Sequence, residues 1–157
     1  MRNSGTWSLL GAGLAAALVL AGLAQSSPAR ETLPGPVPAR VIEVIDGDTL
    51  MVRAKVWIGQ EIEIKVRLEG VDAPELGGGC ERERTLAQRA RALIMVKVRD
   101  GKVLLNRVQY GKYAGRVVAR VETSAGEDLS AALLAANLAR AYRGGRRRSW
   151  CDRADGD

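Results

Sequence analysis

Val66-Arg67-Leu68-Glu69-Gly70-Val71-Asp72-Ala73-Pro74-Glu75 is the stretch on which the reading of this chain turns. It opens as the end of a strand: Ile62, Ile64, Val66 and Leu68 alternate with Glu61, Glu63, Lys65, Arg67 and Glu69. A period of two gives one apolar and one charged face. Gly70 then breaks the pattern, Pro74 fixes the backbone, and Arg67, Asp72 and Glu75 are left close together. Taken alone, this is equally a solvated strand edge followed by a turn. Two other stretches favour more: the acidic turn Asp46-Gly47-Asp48-Thr49 upstream and Lys112-Tyr113-Ala114-Gly115-Arg116 downstream.

Working outward, Val41 to Ile45 reads as a short apolar strand. Thr49 to Val56 reads as a second, with Leu50, Val52, Ala54 and Val56 on one side. Asp46-Gly47-Asp48 joins them as a tight turn, since Asp and Gly tolerate the positive φ that short hairpins demand. Trp57 to Gln60 turns into the third strand, so the three form a curled antiparallel meander. Gly77, Gly78 and Gly79 open a flexible loop. Leu86, Ala87, Ala90, Leu93 and Ile94 recur at helical spacing over Glu81 to Val98, with Arg82, Arg84, Gln88, Arg89 and Arg91 facing away. Lys102 to Gln109 and Arg116 to Glu122 are two further strands. Asp128 or Ser130 caps a last helix, with Leu129, Leu133 and Ala136 on one face. This order predicts an α+β protein, mainly β: a five-stranded Greek-key barrel of OB type with two or three helices. Other small α+β folds share the order.

The chain has 157 residues, enough for one domain with appendages. It has no Phe and only 4% aromatics, so the core must be built from Val, Leu, Ile and Ala. Net charge is +6, which suits an anionic partner such as nucleic acid or a membrane surface. There is no histidine, which excludes histidine general bases and most zinc or iron sites. Any metal chemistry therefore rests on oxygen ligands, which favours Ca²⁺ or Mg²⁺.

Residues 1–24 read as an export segment. Arg2 precedes an uncharged run from Trp7 to Ala24, and Gly22-Leu23-Ala24 offers a small-x-small cleavage site. A cleaved signal is the first reading, and a membrane anchor through residues 7–24 the second. Residues 25–38, with Pro28, Pro34, Pro36 and Pro38, read as a linker. The domain is expected over residues 39–142. An Arg-rich tail follows over 143–157, suited to tracking a nucleic-acid backbone. Cys80 and Cys151 can close a disulfide in an exported protein and would pin that tail beside the loop after Glu75. In a cytosolic protein both are free thiols.

The chemistry follows from convergence. Asp48 and Asp72 are each, alone, ordinary turn formers. If the first and third strands pair, the two turns lie at one end of the barrel, and two adjacent carboxylates repel unless a cation neutralises them. A hard divalent ion would take both, with a backbone carbonyl and waters, and Asp46 would add charge behind. Arg67 and Arg116 would offer guanidinium forks to a phosphodiester. Glu75 would orient or deprotonate an attacking water.

These three motifs resemble the thermonuclease (staphylococcal nuclease homologue) family: D-G-D-T at Asp46–Thr49, R-L-x-G-V-D-A-P-E at Arg67–Glu75, and K-Y-A-G-R at Lys112–Arg116. The resemblance runs from about Ala39 to Tyr142 and implies an OB-fold, Ca²⁺-dependent phosphodiesterase acting on DNA and RNA. By motif position, Asp48, Asp72 and the Thr49 carbonyl hold Ca²⁺, Arg67 and Arg116 grip the phosphate, and Glu75 is the base. Lys112, Tyr113 and Tyr142 are expected against the substrate, with the tyrosines stacking on a base or sugar, and the protein is expected to be a monomer. The family usually writes Y-G-R in the third motif, where Ala114 intervenes here. Gly77–Gly79 also stands in place of the lysine-rich loop of its best-known member. A non-catalytic OB module that binds nucleic acid is the alternative.

Overall fold

Alternating side chains close the sheet into a barrel. The computed structural model describes residues 31–152. In chain order the elements are β1 (Thr32–Leu33), β2 (Val37–Val44), β3 (Thr49–Trp57), β4 (Gln60–Leu68), β5 (Val71–Asp72), α1 (Glu81–Lys97), β6 (Lys102–Tyr110), β7 (Arg116–Thr123), α2 (Leu129–Ala135) and β8 (Arg140–Ala141). Strands β2, β3 and β4 form the expected antiparallel meander. β4 pairs parallel with β7, β7 antiparallel with β6, and β6 antiparallel with β2, which closes five strands into one mixed barrel of OB type. The short β1 extends the edge of β6, while β5 and β8 pair outside the barrel.

Leu50, Val52 and Ala54 of β3, Val66 and Leu68 of β4, and Ala119 and Val121 of β7 fill the interior. Ile94 of α1 and Leu129 and Leu133 of α2 join the same core. Each fully buried Leu or Ile contributes about 1.5–3 kcal/mol, and here aliphatic residues alone carry that load. Trp150 is the one buried aromatic among the described residues. Val56, expected on the inner face, is exposed because a register shift between Lys55 and Trp57 carries the β3–β4 hairpin past the barrel end. Asp128 caps α2 through its side chain, which accepts from the backbone of Ser130 and Ala131. Ala136, expected on the buried face of that helix, is its exposed C-cap.

Three expectations are corrected. The chain is paired well before Ala39: Leu33 pairs with Val108 and Val37 with Leu105, both inside the stretch read as linker. Proline lacks an amide donor but keeps its carbonyl, and Pro34 O accepts from Arg107 N at 2.7 Å. Gly47 does not have positive φ; its role is close approach, since a Cβ there would stand 2.6 Å from the Ala90 Cβ of α1. The glycine loop after Glu75 is tied down, with Gly78 N donating to Glu75 O and Gly79 N to Glu83 Oε2. The export or anchor segment 1–24 lies outside the described residues. No helix among those described is long and apolar enough to cross a membrane.

Candidate active site

The β2–β3 turn and the β4–β5 turn meet at one end of the barrel. Pairing of Thr49 with Arg67 brings them together, and Leu68 N donates to Asp48 O at 2.8 Å, locking the acidic turn onto β4. Gly70 has φ +82, which permits the reversal from β4 into β5, and its carbonyl accepts from Tyr142 N.

Asp48 and Asp72 converge on one guanidinium. Arg67 Nη1 donates to Asp48 Oδ1 at 2.7 Å and Arg67 Nη2 to Asp72 Oδ1 at 3.3 Å. All three side chains are buried. Asp48 also accepts from Thr49 Oγ1 and, through Oδ2, from Ala73 N at 2.9 Å. Asp46 Oδ1 accepts from Asp48 N, fixing the turn from behind. Burial raises the Asp48 pKa to about 6, against the lowering pull of Arg67 and of the Ala73 amide, while Asp46 raises it further.

Glu75 lies beside this pair, and a residue not singled out in the sequence joins them. Arg147, in the tail, places Nε 3.0 Å from Asp72 Oδ1 and Nη1 2.6 Å from Glu75 Oε1. Cys80 and Cys151 are bridged, with Cα atoms 5.7 Å apart, so the tail is folded back. Arg82 Nη1 donates to Asp152 O at 3.0 Å on the far side of the bridge. The sequence offered two signals, the cysteine pair and the arginine run, but not which arginine reaches inward.

Arg116 opens β7 beside Lys65 of β4, two residues before Val118, which pairs with Arg67. It therefore projects from the same outer face of the barrel as Arg67, one row away. It does not touch the carboxylates. Its guanidinium carbon lies 5.1 Å from the Tyr113 ring, and its buried Nε has no hydrogen-bond partner among the described residues. The extra Ala114 is absorbed in the loop, where Gly111 N donates to Arg116 O and Gly115 has φ +74. Tyr113 is exposed, with Lys112 Nζ 5.7 Å from its ring. Tyr142 lines a surface cleft of about 520 Å³ with Arg67, Gly70, Tyr110, Arg120 and Arg143; its hydroxyl donates to Gly145 O.

The donor chemistry fits a hard cation: Asp48 and Asp72 offer only carboxylate oxygen. The Thr49 carbonyl accepts from both Ile45 N and Asp46 N, at 3.0 and 3.3 Å, closing the hairpin turn. The single group of three His, Cys, Asp or Glu ligand atoms within 4.8 Å among the described residues is Cys80, Glu83 and Cys151, whose sulfurs are spent in the disulfide.

Among curated proteins none matches the chain. The staphylococcal nuclease homologue family matches residues 65–154, from within β4, through Arg67, Asp72, Glu75 and Arg116, to the cysteine-closed tail. That match covers more than half of the sequence, and the chain accordingly belongs to the staphylococcal nuclease homologue family.

Proposed function

We propose that the protein is an exported, Ca²⁺-dependent nuclease that hydrolyses phosphodiester bonds of DNA or RNA. The observation that carries this is the convergence of buried Asp48 and Asp72 on Arg67, with Glu75 alongside. In this reading Asp48 and Asp72 would hold the cation, which would supply positive charge to stabilise the phosphoryl oxygens. Arg67 and Arg116 hold those oxygens with forked donors and remain charged throughout, so neither serves as the proton donor. Glu75 takes a proton from the attacking water, and its side chain is 47% exposed, open to solvent. Lys112 and Tyr113 sit beside Arg116, and Tyr142 lines the cleft beside Arg67, where each can meet substrate. The Cys80–Cys151 bridge suits an oxidising compartment, which supports export.

The test is cleavage of plasmid DNA and of RNA in millimolar Ca²⁺, with and without a chelator. Chelator-sensitive cutting is expected. Tight binding with no cutting in Ca²⁺ would replace this reading with a non-catalytic nucleic-acid-binding barrel.

A further inference from the structure

Asp72 has two guanidinium neighbours of different standing. Arg67 is 9% exposed at its side chain and bridges both aspartates from within. Arg147 is 42% exposed and reaches the same Asp72 oxygen from outside, also holding Glu75. A buried pair is costly to break, whereas a partly hydrated one exchanges with little loss.

The fold holds Arg147 in place from both sides along the chain. Before it, β8 pairs Arg140 opposite Asp72. Tyr142 Oη then donates to Gly145 O at 2.8 Å, and Gly144 and Gly145 take φ of +98 and +94 to reverse the chain. After it, Arg140 Nη1 donates to Ser149 O at 2.9 Å, and the Arg140 guanidinium stacks 3.8 Å from the Trp150 ring. The Cys80–Cys151 bridge then closes the segment. A loosely attached basic tail has no reason for such anchoring, and Arg147 is the one arginine of the run Arg146, Arg147 and Arg148 that forms ion pairs among the described residues.

We infer that Arg147 is a resident counter-ion of the site, delivered by the disulfide-closed tail, which competes with the cation for Asp72 and so sets cation affinity. The inference rests on the reading of Asp48 and Asp72 as the cation's ligands. Its physical basis is that one carboxylate oxygen cannot serve a guanidinium and a hard cation at full strength together. The Arg147 charge beside Asp72 and Glu75 would oppose a cation held there, and its removal leaves the two carboxylates without that neutralising neighbour.

Isothermal titration of the oxidised, chelator-stripped protein with CaCl₂ alone tests this. Arg147→Gln should bind Ca²⁺ about five- to tenfold more tightly than the parent, the range expected for losing one or two partly exposed charge contacts. Arg147→Lys, which keeps the charge without the fork, should fall between them. Arg146→Gln, at an exposed position, should match the parent and so control for net charge. Equal or weaker binding by Arg147→Gln, or equal tightening by Arg146→Gln, overturns the inference. Plasmid cleavage is scored separately. Cutting by the parent with unchanged affinity in Arg147→Gln would remove this inference and leave the nuclease reading. Tightened binding with no cutting in either protein would do the reverse.

Discussion

Ionised Asp48 is a liability to the fold, and its size can be worked out. Burial, opposed in part by Arg67 and the Ala73 amide, lifts its pKa from 3.8 to about 6. At about 1.4 kcal/mol per pKa unit, the carboxylate costs the fold about 3 kcal/mol once ionised in both states. The sign follows from the raised value. The native state holds the proton more tightly than the unfolded chain, so this group's contribution to stability is greatest below pH 4 and is lost as pH rises through 6. Asp48→Asn removes this titration while keeping an acceptor for Arg67. The variant also loses the bond from Ala73 N, but that offset does not vary with pH and cancels in the slope. The assay is urea unfolding of both proteins in chelator between pH 4 and pH 7, followed by far-ultraviolet circular dichroism. The parent should lose about 2.5 kcal/mol relative to Asp48→Asn across that window, most of the full effect. Millimolar Ca²⁺ should recover part of the loss in the parent alone. Parallel curves for the two proteins would refute the assignment of Asp48 as a buried, strained carboxylate.

Glu75→Gln should lower turnover by about 10²–10⁴-fold, the usual contribution of a positioned base, with an unchanged urea midpoint because the side chain is half-exposed. Turnover within threefold of the parent would remove Glu75 from the chemistry. Reducing Cys80–Cys151, which spans 71 residues, should cost about 4 kcal/mol of unfolding free energy by the chain-entropy relation. A loss under about 1 kcal/mol on adding reductant would show that the unfolded chain gains little freedom from opening the bridge.

Much of the architecture was legible in the chain because side-chain periodicity is a local property. Alternation from Thr49 to Leu68 gave two strands and their inner face, and helical spacing from Glu81 gave α1 with Ala87, Ala90 and Ile94 buried. The carboxylates were legible too, since Asp48 and Asp72 sit at strand ends that a closed barrel must bring together. Local patterns misled where a distant neighbour set the requirement. Gly47 looked like a turn residue needing positive φ, but Ala90 on α1 leaves no room for a Cβ. The proline-rich stretch looked unpaired, but β6 supplies its partners from about seventy residues away.

By itself, the sequence determined the barrel's strands, the helices that join its core and the oxygen-only chemistry of the acidic turns. Each of these is set by residue type and near spacing. Only the tertiary structure decided which cations stand among those oxygens. Arg67 is separated from Asp48 by 19 residues and Arg147 from Glu75 by 72, and such distances are bridged by strand pairing and by a disulfide. A run of arginines shows where positive charge is plentiful, while chain closure selects the one that faces the acids.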